Sequence, residues 1–351
     1  MTFKRNIRGL SAAGLLAVPI MLSGCGPFGG KESEAIDPPP AQVESQMINA
    51  ATGKTAQGQT GLQTTVYLSD QKGMLAPVTL GIPKEEGKDP IAGALEVMVD
   101  GGAYAGYVPV GFRGVFPAGT VVKNVTVDKE NKQAVVEFNQ SFSEYKPQDE
   151  RKILEALTWT LTGHEGIEKV QVWMEGAKLN EMPVNHTPLD RPLSRAMGIN
   201  LQKADDTQYS QSSPVTVYFS GLSPAGIQYY VPVTRLVASG QDSVKAALHE
   251  LIRGPQYGDG LEQVMTSETA VASVEKNKDG SLTVSLTDSM FEQGEEVPAE
   301  MLQAVVLTVT ENAGDAKVKI RMNDLTEVKG TDSRNYSEPV GRPEFINEIP
   351  I

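Results

Sequence analysis

The chain has 351 residues, of which 44 are Asp or Glu and 31 are Lys or Arg, which gives a net charge of −13 at pH 7. This acidic balance argues against nucleic acid and against an anionic membrane face as partners, because both attract basic patches. The single cysteine, Cys25, excludes a disulfide framework within the chain.

Residues 1–24 have the pattern of a lipoprotein signal peptide. Lys4, Arg5 and Arg8 precede an apolar stretch that is too short to span a membrane. The stretch closes on Leu-Ser-Gly-Cys, which resembles a bacterial lipobox, so we expect Cys25 to carry a diacylglycerol and palmitate. Cleavage would remove three basic residues and leave a net charge of −16. The lipid would hold the chain on the extracytoplasmic face of the cell membrane.

Composition divides the remaining chain into five segments. Residues 25–62 are rich in Pro, Gly and Gln and are predicted to form a flexible stalk. Residues 191–212 are predicted to be a polar linker, and residues 329–351 an irregular C-terminal tail. The segments between them, 63–190 and 213–328, are each long enough for one core.

These two long segments repeat each other at a spacing of 148–155 residues. Thr-Thr-Val-Tyr-Leu at 64–68 returns as Val-Thr-Val-Tyr-Phe at 215–219. Ala-Leu-Thr-Trp-Thr-Leu-Thr at 156–162 returns as Ala-Val-Val-Leu-Thr-Val-Thr at 304–310. The period is domain-sized, which predicts a tandem pair of homologous domains. Apolar periodicity and turn residues recur, and nothing that resembles catalytic chemistry does.

In chain order, the first copy opens on two β-rich runs around Val66 and Val78. Apolar residues at i, i+3, i+4, i+7 and i+8 from Ile91 then predict a helix, with Asp89 as its N-cap and Gly101 as its stop. Two strand-like runs, a second helix and a last strand follow.

The second copy repeats this order. Asp242 and Gly254 are the predicted cap and stop of its first helix, and Asp279-Gly280 is a hairpin turn. The order β-β-α-β-β-α-β predicts an α+β fold, in which each domain is a small, mostly antiparallel or mixed sheet with two helices on one face. Trp159 and Trp173 are predicted to lie in the core.

The residue pattern predicts neither an enzyme nor a metal or cofactor site. No Gly-x-Ser-x-Gly elbow occurs, and the residue four positions after His249 is Arg253, which removes the zinc-helix interpretation. His164 and His186 lie near turns.

Two glycine-rich loops after the predicted first helices carry tyrosines. The loop at 101–107 contains Tyr104 and Tyr107, and the loop at 254–260 contains Tyr257. The simpler interpretation is a flexible connection after a helix stop. Because exposed aromatic side chains anchor interfaces, we take the three tyrosines as candidate docking residues.

Several stretches resemble the GerMN-domain lipoproteins of endospore-forming bacteria, over nearly all of the mature chain. They are Leu-Ser-Gly-Cys-Gly at 22–26, Gly-Phe-Arg at 111–113, Pro-Ala-Gly-Thr at 117–120 and Glu-Met-Pro-Val at 181–184. The resemblance implies a fold similar to the ring-building modules of secretion machines. The second copy lacks clear counterparts of Phe112-Arg113 and Pro117, so equivalent contacts by both copies are not implied.

The resemblance also implies a function. It indicates a non-enzymatic lipoprotein on the mother-cell membrane around the forespore, needed for sporulation and germination. Its implied partners are proteins of the channel complex that links the two cells, close to peptidoglycan. The alternative is a lipoprotein that binds cell-wall glycan or a solute, and an aromatic content of 6% weighs against a glycan-binding groove.

Overall fold

The computed structural model describes residues 61–203, 211–291, 295–314 and 316–351. The predicted signal peptide, the lipidation site at Cys25 and the stalk lie outside the described residues.

The described residues form four α-helices, four short 3-10 helices and thirteen strands. The first copy contains β1 Gly61–Asp70, β2 Leu75–Pro83, α1 Pro90–Val97, β3 Phe112–Arg113, β4 Val122–Asp128, β5 Gln133–Phe138, α2 Glu150–Leu161, β6 Lys169–Met174 and β7 Ala177–Lys178. The remaining elements are β8 Gln202–Lys203, β9 Ser212–Leu222, β10 Gln228–Ala238, α3 Ser243–Arg253, β11 Ala270–Lys276, β12 Leu282–Thr287, α4 Ala299–Ala313 and β13 Val318–Met322.

The predicted α+β class and element order are confirmed, but the strands of each copy divide into two small sheets. The first copy has sheets β2-β1-β3 and β4-β5-β6-β7, and the second has sheets β8-β10-β9 and β11-β12-β13. Strands β5 and β6 are parallel, as are β12 and β13, because a helix connects the members of each pair.

Local chemistry sets the helix ends. The Asp89 carboxylate accepts a hydrogen bond from Ile91 N at 2.7 Å and the Asp242 carboxylate accepts one from Lys245 N at 3.0 Å, which confirms both predicted N-caps. Gly254, with φ of 83°, ends α3 as predicted.

Helix α1 ends at Val97, short of the predicted stop at Gly101. Met98 O instead accepts a hydrogen bond from Phe116 N at 2.8 Å, and Asp100 N donates to Phe116 O at 2.9 Å. Apolar periodicity continues through these residues, so the sequence pattern does not reveal that their backbone pairs with a distant loop.

The two tryptophans differ in environment. Trp159 is 1% exposed and its indole Nε1 donates to Gly198 O at 3.0 Å, which confirms its core position. Trp173 is partly exposed and belongs to neither apolar cluster of the described residues. The predicted core position of Trp173 is therefore wrong, because strand alternation places it on the outer face of β6.

The two copies belong to one compact unit and share one continuous apolar core. They meet where β2, an edge strand of the first copy, lies beside β10, whose partners within its own sheet are β9 and the two-residue strand β8. Each strand has a proline at the same register, Pro77 opposite Tyr67 and Pro232 opposite Tyr218. Because proline has no N–H, β2 and β10 cannot form a regular ladder with one another.

The carboxamide of Asn200 bridges the backbones of β2 and β10 in place of a ladder. Asn200 Nδ2 donates to Leu75 O on β2 and to Pro232 O on β10, both at 2.8 Å. Its Oδ1 accepts from Leu75 N at 2.9 Å. One side chain thus satisfies backbone groups of both copies.

Asn347 makes a second bridge between the same two strands. Its Nδ2 donates to Pro77 O at 2.7 Å and to Tyr230 O at 2.8 Å, and its Oδ1 accepts from Tyr230 N at 2.8 Å. Both asparagines have positive φ values, 47° for Asn200 and 58° for Asn347. Asparagine tolerates this left-handed region better than most residues.

Each of these asparagines lies in a segment that follows one copy in the chain and bonds a strand of the other copy. We call these two stretches the exchanged segments. After the first copy, Ile199 N donates to the Thr234 hydroxyl on β10, and Thr234 N donates to Ile199 O. After the second copy, Ile346 N donates to the Thr79 hydroxyl on β2, which in turn donates to Ile346 O. Residues 329–351 contain no helix or named strand, yet Tyr336 is fully buried. The stretches 193–200 and 340–347 therefore form one further repeated element.

Replacement of Asn200 or Asn347 by Ala is expected to lower the free energy of unfolding by about 2–4 kcal/mol, because each change leaves backbone groups without partners at the interface. Asn124→Ala on exposed β4 is the control and should change stability little. Urea denaturation of the three variants measures the difference. Equal stability of all three would show that the carboxamides do not hold the copies together.

Candidate docking site

A partly buried ionic cluster lies between the copies. Arg195 Nη1 is 2.8 Å from Glu311 Oε1, and Arg342 Nη1 is 3.1 Å from Glu311 Oε2. The Tyr218 hydroxyl donates to Glu311 Oε2 at 3.0 Å, and the Arg195 guanidinium lies 4.4 Å from the centre of the Trp159 ring. Arg195 and Arg342 occupy corresponding positions in the two exchanged segments. Both segments therefore contact the same carboxylate, that of Glu311.

Glu311 remains ionised in this cluster. Burial raises the pKa of its carboxyl, but Arg195 and Arg342 lower it by more, so the pKa lies below its usual value. Two guanidiniums around one carboxylate make breakage of the cluster costly, since removal of one partner leaves partly buried charge uncompensated. We interpret the cluster as a clamp between the copies.

The first predicted docking tyrosine, Tyr104, is 4% exposed. Its hydroxyl donates to Glu85 Oε1 at 2.7 Å, and its ring packs near the partly buried Tyr107 at 6.1 Å between centroids. The expected exposure of Tyr104 is therefore wrong, because its ring covers the core beside β2. Docking by the loop at 101–107 stays a prediction.

Tyr257, the third predicted docking residue, is fully exposed. The same loop contacts the first copy, because Lys72 Nζ donates to Gly260 O. Asp259 Oδ2 accepts from Gln202 Nε2 at 2.6 Å. These contacts hold the loop while the tyrosine ring projects into solvent, so Tyr257 keeps the geometry that a docking residue needs.

Two exposed apolar residues lie where loops of the two copies touch. Val110 is 72% exposed and Leu222 is 37% exposed. Beneath them Gly111 approaches Pro224 so closely that a Cβ on Gly111 would be 2.6 Å from its ring. The glycine of the Gly-Phe-Arg stretch is thus required for contact between the copies.

A groove of about 520 Å³ opens in the first copy, between the loop at 113–118 and the start of α2. Its principal charged residues are Arg113, Lys146, Lys152, Asp100, Glu144 and Asp149. Within the described part of the chain, none of these six residues forms an ion pair.

Several residues of the groove have no counterpart in the second copy. Lys152 precedes Ile153 on α2, and the corresponding position before Met301 on α4 is Glu300. Arg113 and Pro117, which line the groove, belong to the stretches that have no clear counterpart in the second copy. The second copy therefore does not repeat this set of charged side chains.

Buried Glu150 fixes the wall of this groove. It accepts hydrogen bonds from the Tyr145 hydroxyl at 2.8 Å, from Asn185 N at 2.7 Å and from Thr187 N at 3.1 Å. Burial raises the pKa of Glu150, and these hydrogen bonds lower it by more. The ionised carboxylate thus ties the segment 181–188 to α2.

Among residues 61–203, 211–291, 295–314 and 316–351, no group of three or more His, Cys, Asp or Glu side chains could hold a metal ion. None of the described helices is long and apolar enough to cross a membrane.

Two fused α+β modules, joined through exchanged segments, define a tandem-module protein. The chain matches the family described as "Sporulation and spore germination" over residues 65–180 and again over 216–327. It is 35% identical to the spore germination protein GerM of Bacillus subtilis strain 168, over 95% of each chain. It also resembles the solved tandem GerMN domains of that organism's GerM, with 36% identity, a TM-score of 0.75 and coverage of 82% of this chain and 99% of that one.

The chain therefore belongs to this family of sporulation and spore germination proteins.

Glu311→Gln is expected to reduce the free energy of unfolding at pH 7 by about 3 kcal/mol, because it leaves two partly buried guanidiniums without a carboxylate. The folded pKa lies below the ordinary 4.5, so this contribution is complete above pH 4.5 and is lost as pH falls through the folded pKa. The difference between wild type and variant should shrink below pH 4.5. Denaturation curves at several pH values measure it.

The control is Glu168→Gln, which removes an exposed ion pair with Lys132 and should change stability little. A Glu311→Gln difference that stays constant between pH 7 and pH 3 would contradict the role of this carboxylate.

Proposed function

We propose that the protein is a non-enzymatic, lipid-anchored docking factor that helps assemble the complex between mother cell and forespore. Family membership supports a role in sporulation and germination. The groove of the first copy supports docking, because it presents unpaired charges of both signs on a rigid module.

The groove matches a polypeptide segment better than a small solute. Three cations and three carboxylates line it without pairing with one another, so a bound segment can satisfy both signs. A polyanion would be repelled by the three carboxylates and a polycation by the three basic side chains, which is unfavourable. The exposed Tyr257 provides a second contact point, since tyrosine is frequent among residues that dominate binding energy.

Attachment to the membrane through Cys25 is the other half of the proposal. The lipobox-like sequence places the cysteine before a Pro- and Gly-rich stretch, which would act as a tether for the two modules. The proposed location is the extracytoplasmic face of the mother-cell membrane around the forespore, with proteins of the channel complex as partners and peptidoglycan nearby.

Charge reversal in the groove, Arg113→Glu combined with Lys146→Glu, is expected to reduce recovery of channel-complex proteins in a pull-down from sporulating cells by at least about tenfold. Both side chains lie on the surface, so the fold should be retained. The matched control reverses two exposed lysines of the second copy, Lys276 and Lys278, and should leave recovery unchanged. Equal recovery with both variants would reject the groove as the docking site.

Cys25→Ala is expected to move the protein from the membrane fraction to the soluble extracytoplasmic fraction, because the acyl chains supply the anchor. Fractionation of cells that carry an epitope-tagged chain measures this change. In the same cells, pull-down of channel-complex proteins should fall. Recovery of wall glycan or a transporter alone, without sporulation proteins, would reject the assembly role.

A further inference from the structure

Trp173 lies on the outer face of the four-stranded sheet β4-β5-β6-β7. It stands beside Glu137 on β5 and Lys178 on β7, and the same row continues to Asn124 on β4. The indole Nε1 donates to Gln171 Oε1 at 2.9 Å. This bond satisfies the polar atom and orients the ring, while the indole stays outside both apolar clusters of the described residues.

The surroundings of Trp173 are polar and hydrogen-bonding. The neighbouring row runs from Thr126 through Val135 to Gln171. Strands lie about 4.8 Å apart, so amide, carboxylate, hydroxyl and ammonium groups surround the indole at regular spacing. Val135 is the one aliphatic residue in these two rows, which is too little apolar surface for the core of a protein interface.

The charges on this face balance. Glu137 and Asp128 face outward with Lys169 and Lys178 on the same sheet. This neutrality contrasts with a chain of net charge −13. A neutral partner therefore fits this face better than a basic or acidic one.

From these observations we propose that the outer face of this sheet binds a neutral hexose polysaccharide. The apolar face of one sugar ring stacks on Trp173, and the hydroxyls of that ring and its neighbours bond Gln171, Glu137 and Lys178. An aromatic plane supplies contact area at low entropic cost, and planar amide and carboxylate groups pair with vicinal hydroxyls. Plain and N-acetylated hexoses share this chemistry.

The second copy provides an internal comparison. Its β12 and β13 occupy the places of β5 and β6, with Arg321 at the position of Trp173 and Thr283 at the position of Val135. That face has no aromatic side chain to stack on a sugar. The proposed site is thus confined to the first copy.

Binding of the mature chain to insoluble chitin and to cellulose, and titration with chitohexaose and cellohexaose, test this site. The two polymers distinguish N-acetylated from plain hexose. Trp173→Ala is expected to weaken binding at least about tenfold, and Trp173→Phe to weaken it less, because the phenyl ring retains part of the stacking surface. Arg321→Ala on the second copy is the matched control and should bind like wild type.

Circular dichroism and the urea midpoint of Trp173→Ala check that the fold is retained. Absence of binding to any of the four carbohydrates by the wild-type chain would overturn the proposal. Equal binding by wild type and Trp173→Ala would also overturn it. Loss of channel-complex proteins with Trp173→Ala, without loss of carbohydrate binding, would identify the face as a protein interface. The groove variant Arg113→Glu/Lys146→Glu should retain carbohydrate binding, so failure of the docking role and failure of this site are distinguishable.

Discussion

The missing N–H groups of Pro77 and Pro232 are the constraint on which the interface between the copies depends. Strands β2 and β10 face each other, and their prolines prevent a continuous backbone ladder between them. The carboxamides of Asn200 and Asn347 supply the donors and acceptors in its place. Because each asparagine belongs to a segment exchanged from the other copy, the two modules share one core.

The same exchange brings Arg195 and Arg342 to Glu311. One partly buried carboxylate binds both guanidiniums, which fixes the position of both exchanged segments at once. A cluster of this kind favours one arrangement of the copies. If the copies move relative to each other, an ion pair breaks and a charge is left without a partner inside the protein, which is costly. A rigid relative orientation lets surface features of the first copy act from a defined position.

Duplication has left the two copies with different surfaces over the same scaffold. Residues 61–203 carry 15 basic and 18 acidic side chains, whereas residues 212–351 carry 11 basic and 20 acidic ones. The groove with Lys152 and the sheet face with Trp173 both belong to the first copy, and the second has Glu300 and Arg321 in those places. The second copy shares the interface and the core but not these candidate sites.

The sequence by itself determined the duplication, the α+β class, the order of elements and the helix caps at Asp89 and Asp242, because all of these follow from local periodicity and short-range hydrogen bonds. It also held the signal for the exchanged segments, since Arg195 and Ile199-Asn200 return as Arg342 and Ile346-Asn347 at a constant spacing of 147 residues. Only the tertiary structure decided which strand each segment contacts, that Tyr104 is buried while Trp173 is partly exposed, and where the groove opens. These features depend on pairing between residues far apart in the chain, which no local pattern encodes.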